Sequence, residues 1–188
     1  MSYFKIEGEH FAGAVKVLSP TKVFGDNRGY FATVYREDDF QEMGLPKFVQ
    51  DNHSCSKKNV IRGLHYQLNP PMGKLMRVTC GEAFLVAVDL RKGSPTFLQW
   101  MGVHANEDNK LQVWAPAEFA RGFCALSDRT EVQYKCSGLY DQRGDLALRW
   151  NDPAIGIKWP VDFPIVSEKD SHTPTVEEFL SETIHRNL

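Results

Sequence analysis

Short runs in which apolar and polar residues alternate recur along the chain with turn-forming residues between them, the pattern of many short β-strands. Residues 30–35 read as a strand after the turn-like Gly25-Asp26-Asn27-Arg28-Gly29. Residues 75–79 and 83–90 flank Gly81-Glu82 and predict a hairpin. A strand over 97–104 follows Gly93-Ser94-Pro95, and others are predicted at 112–114, 118–125, 132–137 and 146–150. Helical periodicity occurs twice. At 38–43 an Asp stands as N-cap and Gly44 as the stop. At 175–184, Thr175 and Glu178 have capping-box spacing, and Val176, Phe179 and Leu180 form an apolar face. Many short strands with few helices predict an all-β sandwich, jelly roll or barrel with short peripheral helices. A parallel α/β fold needs helices of about 10–15 residues between its strands, and the pattern does not supply them.

Composition narrows the class. The chain has 188 residues, 42% of them hydrophobic, which predicts one domain over 1–188 with a sizeable core. The formal charge of −2 predicts no nucleic-acid partner. The longest apolar run, 83–88, is far shorter than the roughly 20 residues of a membrane helix. The start, Met1-Ser2-Tyr3-Phe4-Lys5, lacks the basic-then-apolar layout of a signal peptide, so a soluble cytoplasmic protein is expected. Cys55, Cys80, Cys124 and Cys136 form no Cys-x-x-Cys pair, and Cys80 and Cys136 read as buried small hydrophobes.

Candidate chemistry concentrates in Arg62-Gly63-Leu64-His65-Tyr66-Gln67 and the nearby Gly73-Lys74. Strand alternation puts Arg62, Leu64 and Tyr66 on one face and Gly63, His65 and Gln67 on the other. A histidine in a barrel interior can be plain core, but a lysine beside it is costly unless an anion binds there. The six histidines lie at least twelve residues apart, and neither His-x-His nor His-Glu-x-x-His occurs, so no metal site is predicted. A nucleophile elbow and a phosphate-binding glycine loop are both missing. Any nucleoside phosphate would fall to separate cations, with Arg28, Arg62, Lys74, Arg77, Arg121 and Lys169 as candidates.

Further segments, in order, are Val23-Phe24-Gly25-Asp26, Val49-Gln50-Asp51-Asn52-His53, Val88-Asp89-Leu90-Arg91, Ser94-Pro95-Thr96-Phe97, Phe119-Ala120-Arg121-Gly122-Phe123, Tyr134-Lys135-Cys136, Trp150-Asn151-Asp152-Pro153 and Ser167-Glu168-Lys169-Asp170. With the His65 segment they resemble the dTDP-4-dehydrorhamnose 3,5-epimerases, from Lys22 to Asp170. The resemblance implies a cupin-type jelly roll, a double-stranded β-helix, working without metal or organic cofactor as a homodimer with strand exchange. The substrate would be a nucleotide-diphosphate 4-ketosugar, whose carbonyl acidifies the protons on the neighbouring carbons. By resemblance His65 is the base, Asp170 the carboxylate that orients it, Lys74 the cation at the enolate and Tyr134 the proton donor. Tyr140 would stack on the nucleotide base. Arg28, Gln50, Asp51, Asn52, Arg62, Asp145 and Lys169 match substrate-contacting positions, Arg28 reaching the neighbouring subunit's site.

Four positions depart from the family's usual pattern. Arg121 replaces a pocket histidine, Thr33 a substrate-contacting glutamate, Asp145 a longer glutamate, and Leu85 an aspartate. Neither Arg121 nor Thr33 is expected to be core, and together they predict tighter diphosphate binding or a differently placed base. The alternatives are a mono-epimerase at carbon 3 or 5 on a dTDP-, CDP- or GDP-ketosugar, a sugar-nucleotide-binding cupin without turnover, and a metal-dependent cupin oxygenase.

Overall fold

A computed structural model describes residues 2–185. In chain order its elements are β1 (Phe4–His10), β2 (Val15–Pro20), β3 (Val23–Asp26), β4 (Gly29–Ala32), α1 (Glu37–Glu42), β5 (Gln50–Ser56), β6 (Ile61–Gln67), β7 (Lys74–Cys80), β8 (Glu82–Asp89), β9 (Trp100–Asn106), β10 (Gln112–Ala115), β11 (Phe119–Ala125), β12 (Thr130–Cys136), β13 (Asp145–Ala147), α2 (Glu168–Ser171) and α3 (Val176–His185). The strands form a six-stranded sheet in the order β1-β2-β10-β7-β12-β5 and a five-stranded sheet in the order β13-β6-β11-β8-β9. The pair β3–β4 stands apart as a hairpin. All paired strands are antiparallel. Among the sandwich, jelly roll and barrel that the strand pattern left open, this is the jelly roll that the family resemblance implied. None of the described helices is long and apolar enough to cross a membrane.

The alternating pattern becomes three apolar layers. Met76, Val78, Leu85, Ala87, Phe119, Phe123 and Val132 fill the space between the sheets. Leu64, Tyr66, Phe84, Val86 and Val88 line the outer face of the five-stranded sheet, covered by the C-terminal segment through Ile155 and Val176. Leu18, Leu75 and Trp114 on the other sheet are covered by Phe40 and Leu45. The run 83–88 is continuously apolar because β8 is buried on both faces. Leu85 belongs to the inter-sheet core.

The expected hairpin over 75–79 and 83–90 does not form. Strand β7 pairs with β10 and β12, whereas β8 pairs with β11 and β9 in the other sheet. Only Gly81 separates the two strands, one residue fewer than the shortest common hairpin loop. Its φ of +72° turns the chain across the sandwich instead, and a Cβ there would lie 2.3 Å from the Arg129 carbonyl oxygen. Three strands are also shorter than predicted: β4 ends at Ala32, β9 begins at Trp100 and β13 covers only Asp145–Ala147.

Helix α1 begins one residue early. Arg36 is its N-cap without a side-chain cap bond, and Asp38 is spent on an ion pair with Arg36. Gly44 does end it, at φ +77°. On α3 the capping box is present: Glu178 accepts from the Thr175 amide at 2.7 Å, and Thr175 Oγ1 accepts from the Glu178 amide at 3.2 Å. Its apolar face is narrower than predicted, because Val176 and Phe179 pack inward while Leu180 is exposed.

Candidate active site

One cavity of about 260 Å³ opens between the two sheets where α2 closes over β6. Its walls are Ser54 of β5, Arg62 and His65 of β6, Lys74 and Met76 of β7, Arg121 to Phe123 of β11, Tyr134 of β12, and Ser167, Lys169 and Asp170. Alternation along β6 holds from Leu64 to Tyr66, which enter the outer core while His65 faces the cavity. It fails at Arg62: the register with β11 shifts between His65 and Arg62, and Arg62 lines the cavity beside His65. Strand β11 approaches β6 so closely that a Cβ on Gly122 would lie 2.7 Å from the Arg62 carbonyl oxygen. One on Gly63 would lie 2.7 Å from the Gly122 Cα. Glycine at both positions is what the approach requires.

His65 Nε2 lies 2.7 Å from Asp170 Oδ1, and Asp170 Oδ2 accepts from the Gly63 amide at 3.3 Å. Burial pushes the Asp170 carboxyl up, but these bonds and the His65 charge outweigh it and hold it below the usual carboxylate range. An ionised carboxylate only accepts, so the Nε2 proton is fixed on the Asp170 side and Nδ1 keeps its lone pair. Asp170 itself is not the cap that its position suggests. Ser167 caps α2 by accepting from the Asp170 amide at 3.0 Å, which frees the carboxylate for His65. The serine-to-aspartate spacing of three was a legible capping signal.

The facing sheet contributes Tyr134 and Lys74. Tyr134 pairs in register with Met76 and Asn52, and the Lys74 ammonium lies 5.1 Å from the centroid of its ring. Burial raises the Tyr134 phenol above its ordinary value, so it stays protonated. Burial first, and the charge of Arg121 second, lower the Lys74 ammonium to about 8. Burial also raises the thiol of Cys136, which pairs in register with Lys74. Ser54, Met76, Phe123 and Ser167 line the cavity without having been singled out from sequence; only Ser167 carried a local signal.

Several predicted contact residues form a rim. Gln50 Oε1 accepts from the Tyr140 amide at 3.0 Å, and the exposed Tyr140 donates to Asp145 Oδ2 at 3.3 Å. Lys169 Nζ bonds the same Asp145 oxygen at 2.7 Å. Arg62 donates to Ser56 Oγ at 3.0 Å. Asn52 receives a bond from Gln50 at 3.1 Å. Beneath this rim, buried Gln67 ties Pro70, Leu139 and Asp141 together through its amide.

Three predicted residues lie elsewhere in this chain. Asp51 pairs with Lys135 at 2.6 Å, Arg28 is at the exposed tip of the β3–β4 hairpin bonded to Asp26, and Thr33 follows β4. None of them lines the cavity. The expectation that Arg121 is not core is overturned. It is 3% exposed, because β11 is a central strand covered on both faces.

The chain is similar to known proteins over most of its length. The family model described as dTDP-4-dehydrorhamnose 3,5-epimerase matches residues 11–178. A dTDP-4-dehydrorhamnose 3,5-epimerase of Shigella flexneri is 51% identical over 83% of this chain and 87% of its own. A Neisseria gonorrhoeae relative of the same description is 51% identical over 83% of this chain, which spans 48% of that longer protein. The crystal structure of dTDP-6-deoxy-D-glucose-3,5-epimerase from Legionella pneumophila, in complex with dTDP-4-keto-L-rhamnose, superposes with a TM-score of 0.90 at 39% identity. That match covers 95% of this chain and 96% of the other.

Proposed function

The chain belongs to the dTDP-4-dehydrorhamnose 3,5-epimerase family of isomerases, and from that premise we propose how its own residues carry the reaction. The substrate is dTDP-4-keto-6-deoxyglucose. His65 Nδ1 takes the proton from the carbon beside the ketone, the C–H electron pair forms a carbon–carbon double bond, and the carbonyl pair moves onto oxygen. Lys74 stabilises that oxyanion, whose charge appears as the proton leaves. Tyr134, on the facing sheet, gives a proton to the opposite face of the ring as the oxyanion pair re-forms the ketone, inverting the centre. His65 then releases its proton to solvent and Tyr134 regains one from it. The observation that carries this reading is the His65–Asp170 pair at 2.7 Å, opening on a cavity whose other wall bears Tyr134 and Lys74.

The rim suits the nucleotide. Tyr140 offers an exposed ring for the base, and Arg62 and Lys169 are cations for the diphosphate. We place Arg28 in the partner's site of a homodimer that exchanges the β3–β4 hairpin, which leaves Phe24, Tyr30 and Phe31 exposed in the single chain. The reaction needs proton transfer alone, without metal or organic cofactor. Free cysteines at all four positions suit a cytoplasmic setting.

The test is turnover of the ketosugar nucleotide in deuterium oxide with a chelator present, read by mass spectrometry and product NMR. The parent should incorporate deuterium beside the ketone and invert the centre. His65→Asn should lose both by about 10²-fold or more. Tyr134→Phe should separate them, keeping exchange while net inversion falls. Chelator-sensitive turnover, or full activity in His65→Asn, would sink the assignment.

A further inference from the structure

Arg121 stands opposite His65 in the β6–β11 register, so the two side chains share the inner face of the sheet. Its guanidinium is anchored through one nitrogen only. Nη1 donates to the carbonyls of Met72 at 2.9 Å, Pro116 at 3.1 Å and Ala115 at 3.3 Å. Nε and Nη2 are buried and have no hydrogen-bond partner among the described residues. Asp170 is committed to His65 and Gly63, and Asp145 to Lys169 and Tyr140; Glu118, whose charge reaches Arg121, is exposed and makes no hydrogen bond to it. A structural tie to three carbonyls needs a single nitrogen, whereas this residue also carries an unused two-donor edge. Buried donors without acceptors are rare in folded proteins, and this pair is open to an oxygen acceptor from a ligand.

Depth in the cavity identifies that oxygen. The exposed Arg62, Tyr140 and Lys169 stand at the rim, whereas Arg121 is almost fully buried beside Lys74. A diphosphate stays with the rim cations, so the group that reaches Arg121 belongs to the sugar. We infer that Arg121 is a second catalytic cation of this chain, its Nε–Nη2 edge donating to the ketone oxygen and sharing with Lys74 the charge that His65 creates there. The inference rests on the epimerase reading above and replaces the sequence-based expectation that Arg121 serves the diphosphate. It also gives the departure at position 121 a chemical purpose: a permanently charged fork supplies two hydrogen bonds to the oxyanion where an imidazole supplies one.

Two variants test it, Arg121→Lys, which keeps the charge and one anchoring nitrogen, and Arg121→Gln, which keeps only amide donors. Each is compared with the parent for deuterium incorporation from dTDP-4-keto-6-deoxyglucose, for dTDP affinity by calorimetry, and for melting temperature. The expected kcat order is parent, then Lys, then Gln, with Gln about 10²-fold below the parent. Affinity for dTDP, which lacks the sugar, should stay within about threefold in both. A soluble variant with the parent's kcat overturns the inference, as does dTDP affinity that falls in step with kcat. Insolubility of both variants makes the guanidinium a folding element and overturns it too. A parent inert towards the ketosugar removes the epimerase reading and this inference together, whereas an active parent with unaffected variants removes the inference alone.

Discussion

Asp170 Oδ1 lies 2.7 Å from His65 Nε2, so a carboxylate 105 residues downstream sets which ring nitrogen of the histidine is free to act. In Asp170→Asn the side-chain oxygen can still accept from Gly63, but its NH₂ group presents a donor to Nε2 and favours the opposite tautomer. Deuterium exchange should fall at least 10²-fold with substrate affinity little changed. The same pair has a pH signature. A carboxyl held below its unfolded value of about 3.9 contributes stability above that value and loses it as pH falls through the folded pKa. Urea titrations should therefore find the parent's advantage over Asp170→Asn intact at pH 6 and shrinking below pH 4. An advantage independent of pH would mean that the pair is packing alone.

Lys74 predicts an alkaline limb. Burial and the neighbouring Arg121 bring its ammonium down to about 8, so kcat should decline above that pH as the charge at the ketone oxygen is lost. Burial lowers Arg121 too, but only to about 10, so the decline should level off between about pH 8 and pH 10 while that guanidinium stays cationic. Lys74→Met should be about 10²-fold slower at pH 7 and lack the limb. Arg121→Gln removes a repelling charge, so its limb should move to higher pH. A limb unmoved in Lys74→Met would assign the titration to another group.

How much of this was legible depended on whether a pattern was local. The period-two alternation separated His65 from Leu64 and Tyr66, and the Thr175–Glu178 box set the start of α3, because both are written within a few residues. The fate of Gly81 was not: nothing local distinguishes a tight hairpin from a crossing between sheets, and the outcome depends on which distant strands β7 and β8 pair with. Arg121 misled for a related reason. Charge argues for the surface, but β11 is central and buried along its whole length, so its position overrides composition. The residues proposed as base, acid and orienting carboxylate came from family resemblance, not from spacing. They lie far apart in the chain and meet only after the two sheets and α2 come together.

The close approach of β6 and β11 carries a stability prediction. Gly122→Ala would place a Cβ 2.7 Å from the Arg62 carbonyl oxygen, backbone that cannot swing aside as a side chain can. The variant should lose about 1–3 kcal/mol in denaturant titration. Its kcat should also fall, since separating the strands moves His65 relative to Arg121. Gly93→Ala is the control. Its φ of +77° imposes a backbone cost but no atom lies within 4 Å of the added methyl, so activity should hold while stability dips slightly.

The β3–β4 hairpin carries the last prediction. Phe24 is 59% and Phe31 69% exposed, a pairing of large aromatic faces that a free surface does not favour. Among the described residues, Arg28 at its tip bonds only Asp26, its neighbour in the same turn. If the hairpin docks on a second copy, it buries the aromatics and carries Arg28 to the partner's diphosphate rim. Phe24→Asp with Phe31→Asp should then shift the mass seen by light scattering from dimer to monomer. The two substitutions leave all three apolar layers intact, so the monomer should keep its fold by circular dichroism. Arg28→Ala should keep the dimer and raise KM with little change in kcat, because it removes binding that ground state and transition state share. A double variant that remains dimeric would place the interface on another face, and an Arg28→Ala enzyme with the parent's KM would leave that arginine out of the site.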